Sequence, residues 1–520
     1  MKKSYLMLAA WALLVLPSFA QNIGINADAS RPNANAILDI KSGNKGLLIP
    51  RMDSLARKRI PDTKGLLVYD ISTDNFWYNT GRRWECIPND KDRNKGGDAW
   101  LLKGNSNTTD GVNFLGTTND VPLSIRVNNR PAGRIDSARG NTFWGYGAGL
   151  LVSKEGFPGN IGGLNTAIGH QAMYSNTSGN TNAATGYQAM YANTEGGGNT
   201  ANGYWSLRNN TTGGSNTAIG YQSMLSNTIG NGNTVNGDNA LSSNINGSNN
   251  TATGFFSMTS NISGNLNTAY GEASLFTNGT GIQNTSTGAN SMYYNSAGNS
   301  NTANGYQSLA FNTTGSQNTG IGSNADVSTG NLSNATAIGA GAIVNASNKV
   351  RIGNGAVTVI EGQVPFTTPS DGRYKFNIHE DVKGLDFILN LRPVTYQFDV
   401  KRFDAQLSHP TNKAGGSVNY AMQTAYDEAA RIRRSGFIAQ EVEQAAKKSG
   451  YDFSGIILPK TEEDHYSLSY DAFVVPLVKS IQEQQQIILQ QHKKLEEQDK
   501  KLAGLKQQLD EIKKLLQHVN

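Results

Sequence analysis

The amino-acid sequence predicts a mainly β protein of 520 residues, in which a β-solenoid shaft lies between an N-terminal β-rich module and a C-terminal α+β domain that ends in a coiled coil. Glycine recurs at intervals of 17 residues, eleven times from Gly169 to Gly339. Asparagine stands four residues before this glycine in ten repeats, and Met or Leu stands four residues after it in nine. Near the C-terminal end, apolar residues recur every seven residues instead. The first period is typical of a solenoid and the second of a coiled coil.

The first 20 residues have the plan of a secretory signal peptide. Lys2 and Lys3 precede an apolar run, residues 6–16, and small residues lead up to Ala20. This order of basic, apolar and small residues predicts cleavage before Gln21 and export of the chain. We expect a protein that is secreted or associated with the cell surface of a bacterium of Gram-negative type. No second stretch is apolar enough to predict a membrane span.

Residues 21–135 are predicted to form an N-terminal β-rich module and a connector. Residues 46–50 and 65–70 are short apolar runs bounded by turn residues, as in strands. The module also has a group of aromatic residues: Phe76, Trp77, Tyr78 and Trp84. These rings are expected to fill a small core, and an exposed glycan-binding platform is the alternative. The connector, residues 104–129, resembles connecting segments of phage tail-fibre-like proteins.

Residues 136–360 are predicted to form the solenoid. Within residues 161–345, only five side chains are charged: Glu195, Arg208, Asp238, Glu272 and Asp326. Such a composition also fits an unfolded low-complexity tract, but the fixed spacing favours stacked rungs that share one thin core. We expect Met or Leu to face that core and Ala or Ser to keep it narrow. The glycine should turn a positive-φ corner between two short strands, and the asparagines should stack as side-chain ladders.

The segments 165–169 and 216–220, both Asn-Thr-Ala-Ile-Gly, resemble the head repeats of trimeric autotransporter adhesins. The resemblance implies a homotrimer of left-handed parallel β-rolls. The repeat is longer here than in those heads, which predicts an enlarged turn. Those adhesins end in a membrane-embedded β-barrel, whereas this sequence ends in a predicted helix, so we do not expect an autotransporter.

Residues 365–475 contain four separate motifs in a characteristic order. They are Ser370-Asp371-Gly372-Arg373-Tyr374-Lys375, Leu391-Arg392-Pro393-Val394-Thr395-Tyr396, Gly436-Phe437-Ile438-Ala439-Gln440-Glu441 and Tyr466-Ser467-Leu468-Ser469-Tyr470. Their order resembles the endosialidase-type intramolecular chaperone of phage tailspikes and tail fibres. The resemblance implies a domain that trimerises, assembles the upstream β-solenoid and then cuts itself free.

That resemblance places the scissile bond between Pro369 and Ser370. It implies that Ser370 is the nucleophile and Lys375 its base. A serine hydroxyl needs a proton acceptor, and a lysine becomes one when burial favours its uncharged form. The supporting motif residues are Asp371, Arg373, Gly436, Phe437, Gln440 and Glu441. In the structural alternative, Ser370 caps a turn and Lys375 is merely solvated.

Other site chemistry has little support in the sequence. Five histidines show no metal-ligand spacing: His379, His409, His465, His492 and His518. Cys86 is the only cysteine, which excludes an intrachain disulfide and a cysteine-based zinc site. The net charge of +5 is small for this length, so no nucleic-acid partner is expected. We expect neither a cofactor nor a metal.

Residues 476–520 are predicted to form a coiled coil. One seam consists of Ile481, Ile488, Leu495, Leu502, Leu509 and Leu516. The second consists of Leu477, Gln484, Gln491, Gln498, Leu505, Ile512 and Val519. Both keep a strict seven-residue period, and a trimer agrees with the two resemblances.

The sequence therefore predicts an exported homotrimeric fibre whose C-terminal domain assembles the shaft and then releases itself. As an enzyme it would be at most a single-turnover serine peptidase. The alternative is a non-cleaving trimeric surface adhesin or glycan-binding protein that keeps its C-terminal domain as a clamp. The expected partners are two further copies of the chain and, for the adhesin, a cell-surface or glycan ligand.

Overall fold

The computed structural model describes residues 22–87, 104, 108–110, 112–151, 162–407, 420–461 and 464–517. The predicted signal peptide lies outside these residues. The chain divides into two units, Met1–Gly116 and Thr117–Asn520.

The first unit contains two small sheets. Strands β1 (Ile23–Asn26) and β2 (Leu38–Lys41) pair in parallel. The second sheet has the strand order β3-β4-β5-β6, and a short helix, α1, lies between β3 and β4 in the chain. Its elements are β3 (Arg51–Met52), α1 (Ser54–Arg59), β4 (Leu67–Asp70), β5 (Asn75–Asn79) and β6 (Trp84–Ile87).

A buried ion pair links helix α1 to strand β4 of this second sheet. The Arg57 Nε atom of α1 lies 2.8 Å from the Asp70 carboxylate of β4. The Arg57 guanidinium also covers the ring of Trp77 at 3.6 Å. Phe76 and Tyr78 remain exposed, at 46% and 38%. Trp77 and Trp84 are half-buried. The predicted aromatic core is therefore wrong for Phe76 and Tyr78, because alternate side chains of a strand point to opposite faces and these two rings lie on the exposed face.

The second unit begins with three antiparallel strands that continue into the solenoid. They are β7 (Leu123–Val127), β8 (Arg130–Asp136) and β9 (Asn141–Trp144). Strand β9 pairs in parallel with β10, and every later strand of this sheet adds in parallel to give 15 strands. The ten regular strands are β10 (Thr166–Ile168), β11 (Ala183–Thr185), β12 (Thr200–Asn202), β13 (Thr217–Ile219), β14 (Thr234–Asn236), β15 (Thr251–Thr253), β16 (Thr268–Tyr270), β17 (Thr285–Thr287), β18 (Thr302–Asn304) and β19 (Thr319–Ile321).

Each regular rung has one three-residue strand, a glycine corner and an arc of turns. Gly169 has φ +132, and a Cβ at this position would lie 2.3 Å from the carbonyl oxygen of Gly186 in the next rung. Only glycine fits both the dihedral and this close approach. The prediction of two strands per coil is wrong for these regular rungs. Where the second strand was expected, Gln171 and Met173 adopt positive φ, and their amides bond to neighbouring rungs.

Asparagine side chains form two buried ladders along the solenoid, which confirms the ladder prediction. In the first, the Asn182 backbone nitrogen donates to the side-chain oxygen Asn165 Oδ1 at 2.9 Å, and the contact repeats every 17 residues. In the second, Asn193 Nδ2 donates to Asn176 Oδ1 at 2.8 Å. Each side chain also satisfies a backbone carbonyl, so the polar interior contains few unpaired groups.

The apolar side chains between the ladders form one continuous core. The predicted Met and Leu residues are fully buried, namely Met173, Met190, Leu207, Met224, Leu241, Met258, Leu275, Met292 and Leu309. The small residue before each, such as Ala172 or Ser206, is buried as well. The mainly β solenoid predicted from the sequence is thus confirmed.

The last coil of the solenoid is shorter than the others. Strands β21 (Thr336–Ile338) and β23 (Val350–Ile352) pair with Thr336 opposite Val350, a step of 14 residues. Strands β20 (Asp326–Val327) and β22 (Ile343–Val344) form a separate two-stranded sheet. The regular 17-residue repeat therefore ends before the C-terminal domain begins.

The C-terminal domain packs short helices and two pairs of antiparallel strands around an aromatic cluster. Phe387, Phe453 and Phe473 are buried at its centre with three aliphatic residues of helix α5. The elements are a 3-10 turn (Gly372–Tyr374), α2 (Leu385–Ile388), β24 (Val394–Gln397), α3 (Val400–Leu407), α4 (Tyr420–Arg431), β25 (Arg433–Gly436), α5 (Ala439–Lys448), β26 (Ile456–Ile457), β27 (Ser467–Leu468), a second 3-10 turn (Tyr470–Phe473) and α6 (Val474–Gln517).

Helix α6 is a single helix of 44 residues. At 1.5 Å per residue it is about 66 Å long. The apolar residues of the predicted seams are exposed along it, from Leu477 to Leu516. A long helix with an uncovered apolar seam is stable in water when other helices cover that seam.

Candidate functional site

Ser370 and Lys375 are in direct contact. Lys375 Nζ donates a hydrogen bond to Ser370 Oγ at 2.7 Å. The 3-10 turn between them reverses the chain, which explains how a spacing of five residues brings the two side chains together. Asp371 caps this turn, since its carboxylate accepts from the Arg373 amide at 2.9 Å. In the alternative interpretation Ser370 would cap this turn, but the residue that caps it is Asp371.

A second contact braces the same turn. Arg373 Nε donates to Asp371 Oδ2 at 2.9 Å. This hydrogen bond lowers the pKa of the Asp371 carboxyl. The carboxylate is therefore ionised at neutral pH. Ser370, Asp371, Arg373 and Lys375 thus form one local cluster.

The segment that carries this cluster is exposed in the single chain. Phe366 is 91% exposed and Phe376 is 89% exposed, and Tyr374 and Ile378 beside them are exposed too. Ser370 and Lys375 are also in contact with solvent. A lysine acts as a base only when uncharged, and burial favours that form. The cluster has the geometry of a serine-lysine pair without the burial that the chemistry needs.

Gly436 and Phe437 lie elsewhere, on the body of the domain. A Cβ at Gly436 would lie 2.1 Å from the Tyr470 hydroxyl oxygen, so only glycine admits this tyrosine. The Phe437 amide donates to the same oxygen at 3.1 Å. The Phe437 ring stacks on Phe473 with centroids 5.2 Å apart. These two motif residues therefore lock strand β25 onto the turn that leads into α6.

Glu441, of the third motif, forms an ion pair with Arg392 of the second motif. Arg392 Nε donates to Glu441 Oε2 at 3.0 Å and lowers the pKa of that carboxyl. Gln440 is exposed at the start of α5. Among the described residues, no hydrogen bond or ion pair joins this group to Ser370 or Lys375. The structure therefore divides the predicted site residues into a cleavage cluster and a set that supports the domain.

Contacts between the solenoid end and the C-terminal domain were missed by sequence reasoning. Arg351 of β23 and Lys349 just before it form ion pairs with Asp404 and Asp464. Burial opposes ionisation of Asp464, but the amides of His465 and Lys460 and the Lys349 charge lower its pKa. The sequence signal for these contacts was the presence of two cations at the end of a nearly uncharged array.

Among the described residues, no helix is both long and apolar enough to cross a membrane. The same residues contain no cluster of three or more His, Cys, Asp or Glu side chains that could hold a metal ion. His409 and His518 lie outside them.

Residues 370–451 match the family model described as chaperone of endosialidase. The match begins at Ser370 and includes the first three motifs, whereas the fourth, residues 466–470, follows its end. Residues 24–107 match a second family model, described as phage tail like trimerisation region. No curated protein matches the chain significantly. The resemblance to tail-fibre-like proteins with an endosialidase-type chaperone is thus confirmed, and the two matches support a trimeric fibre with an intramolecular chaperone.

Proposed function

We propose that the protein is an exported homotrimeric fibre whose C-terminal domain assembles the shaft and then cleaves the chain between Pro369 and Ser370. The contact between Ser370 and Lys375 carries the cleavage proposal, because it lies at the first residue of the endosialidase-chaperone match. The trimerisation match at the N-terminal unit and the exposed seam of α6 support the trimer.

The chaperone role follows from the cost of aligning three polar chains. A single rung buries little apolar surface and cannot fold alone. Association of three α6 helices tethers the chains and raises their effective concentration, so that later rungs add to a fixed end. The same association would cover Phe366, Phe376 and the residues near them.

Covering this segment would also activate the cleavage cluster. Removal of water favours an uncharged Lys375, whose amine can then take the proton of the Ser370 hydroxyl. Ser370 Oγ attacks the carbonyl carbon of Pro369, and the bond from this carbon to the Ser370 nitrogen breaks as that nitrogen gains a proton. The resulting ester is hydrolysed by water, which leaves a carboxylate on Pro369 and a free amine on Ser370. Cleavage in this order would follow assembly and make it irreversible.

The adhesin alternative would use the same trimer without the cut. The aromatic rings of the solenoid give little support for a glycan-binding adhesin. Tyr187 and Tyr204 stack face to face with centroids 5.2 Å apart, and Tyr221 continues the column at 5.4 Å. Because the ring faces cover one another, mainly their edges face solvent, and sugar rings bind to faces.

The test is the intact mass of the exported chain, measured after denaturation, beside Ser370→Ala and Lys375→Ala variants. We expect a fragment that begins at Ser370 from the unmodified chain and full-length mass from both variants. Lys383→Ala, an exposed lysine of the same segment, is the matched control and should cleave normally. If the unmodified chain stays full length while its native mass is that of a trimer, the domain is a permanent clamp and the adhesin alternative stands.

A further inference from the structure

The end of the solenoid is held on the C-terminal domain by polar contacts that cross the predicted cleavage point. Arg351 Nη2 lies 2.7 Å from Asp404 Oδ1 of helix α3. The other oxygen, Asp404 Oδ2, accepts from the Gly355 amide at 2.5 Å and from the Tyr426 hydroxyl at 2.7 Å. Both partners of the ion pair are largely buried. One carboxylate of the domain therefore binds a side chain and the backbone of the solenoid end.

A second carboxylate makes a similar contact on the other side of Phe403. Lys349 Nζ lies 3.5 Å from Asp464 Oδ1, which also accepts from Asn345 Nδ2 at 3.2 Å. Lys349 donates to Asn345 Oδ1 at 2.9 Å, so the three side chains form a closed set. The Arg351 guanidinium lies over the Phe403 ring at 5.4 Å. The two carboxylates thus bind Arg351 of β23 and Lys349, the residue just before this strand.

We infer that Asp404 and Asp464 form the site by which the C-terminal domain recognises the last rung of the solenoid, and that this site keeps the domain bound after the Pro369–Ser370 bond is cut. Hereafter we call these two carboxylates the seat. The retention part rests on the proposed cleavage, whereas recognition of the rung does not. Every solenoid partner of the seat precedes Pro369, and both carboxylates follow Ser370, so cleavage leaves all these contacts in place.

The seat also fixes which coil is the last. Arg351 belongs to β23, where it pairs with Ala337 of β21. A shift by one rung would bring the uncharged 17-residue repeats opposite the seat and leave two buried carboxylates without a cation. Removal of one partner of a buried ion pair is strongly unfavourable, because the remaining charge is uncompensated. The seat therefore selects one register and offers a fixed end on which further rungs stack.

Hydrogen exchange of the full chain in the Ser370→Ala background tests recognition without any cleavage. The amides to follow are Thr336, which donates to the Lys349 carbonyl oxygen, and Gly353, which donates to that of Ile338. With Asp404→Asn and Asp464→Asn combined, we expect these amides to exchange about tenfold faster or more, while the central rungs are unchanged. Normal exchange at the centre also shows that the double variant is folded.

The control is Asp427→Asn, which removes a carboxylate of α4 that pairs with Lys401 within the domain. It should leave the exchange of the last rung unchanged. Equal exchange in the double variant and this control would overturn the recognition site, whatever the fate of the cleavage proposal.

Retention is measured on the same chain after a cut at a site-specific protease sequence placed in the exposed segment 359–365. With the seat intact, the severed domain should elute with the shaft, because the ion pairs are largely buried and salt screens them weakly. In the double variant it should separate from the shaft. Immediate separation with the seat intact, or retention in the double variant, would contradict the inference.

Discussion

Substitution of one buried ladder asparagine should destabilise the solenoid far more than substitution of an exposed one. Asn250 is 1% exposed at the centre of the array. Its Nδ2 donates to the Gly264 carbonyl oxygen at 2.8 Å, and its Oδ1 accepts from the Asn267 amide at 3.0 Å. In Asn250→Ala, the Asn267 backbone amide loses its acceptor inside a close-packed rung, whereas the Gly264 carbonyl oxygen keeps a second donor, Asn261 Nδ2, at 3.1 Å. We therefore predict a large loss of stability from a change that removes few apolar atoms.

The magnitude follows from the one orphaned group, the Asn267 backbone amide. A buried donor left without a partner costs about 1–3 kcal/mol, which is the loss expected for Asn250→Ala. Entry of one water would reduce this cost toward its lower limit. Asn246 lies on the surface of the neighbouring arc, so Asn246→Ala should change stability by no more than about 0.5 kcal/mol.

The assay is guanidinium unfolding of the full chain, with hydrogen exchange of the Asn267 amide as a local probe. Asn250→Ala should lower the unfolding midpoint and speed exchange at the rungs on either side, while Asn246→Ala does neither. Equal midpoints for the two variants would refute the view that side-chain ladders hold the rungs together. The apolar core alone would then account for the stability of the array.

Three further perturbations have expected outcomes. Met258→Ala should lower the free energy of unfolding by about 2–5 kcal/mol, because Met258 is fully buried, and Ile262→Ala on the exposed surface should cost much less. Burial raises the pKa of Asp326 to about 7, so the native state keeps a proton that the unfolded state releases above about pH 4. The free energy of unfolding should therefore fall as pH rises from about 4 to 7. Asp326→Asn should lessen this fall in urea titrations at pH 5 and 8. Leu502→Asp in the exposed seam of α6 should prevent trimerisation in sedimentation experiments, whereas Lys501→Asp beside it should not.

The regular part of the solenoid could be predicted because each rung repeats the same physical requirements in the sequence. A close approach of backbones requires glycine, and the thin core admits Met or Leu behind a small residue. The predicted range, residues 136–360, includes a further rung at each end, but the 17-residue series does not contain them. Gly145 and Gly353 occupy the same corner as Gly169, but they are separated from the series by 24 and 14 residues. A search at a fixed period does not detect rungs of different length.

The shape of the arc was harder to predict than its burial pattern. Met173 and Gln171 have φ of 48° and 55°, values that L-residues seldom adopt and that sequence patterns assign to glycine or asparagine. Backbone bonds to the rungs on either side, such as Met173 N to Ala189 O at 2.9 Å, stabilise this conformation. Because those bonds join residues 16 or more positions apart, local sequence carries no direct signal for them.

The cleavage cluster could be predicted from local sequence, whereas the seat could not. Ser370 and Lys375 are five residues apart, so one turn brings them together and a motif can reveal them. Arg351 and Asp404 are 53 residues apart, and their contact exists only once α3 lies on the solenoid end. The sequence shows the charges of such a pair but not their partners.

The asparagine ladder holds the regular rungs together, and the seat holds the last coil. Within the array, each asparagine needs a neighbouring rung, which is why ten successive rungs use it. At the next position the residue is Ala335, whose amide still donates to Asn318 Oδ1 at 2.9 Å but whose side chain needs no partner. The ladder therefore stops without a buried unpaired amide. Beyond that point, ion pairs with the C-terminal domain replace side-chain amides as the contacts that hold the last coil. A shaft that ends in this way can begin its assembly at the domain, because its final rung depends on the seat and every earlier rung depends on the rung that follows it.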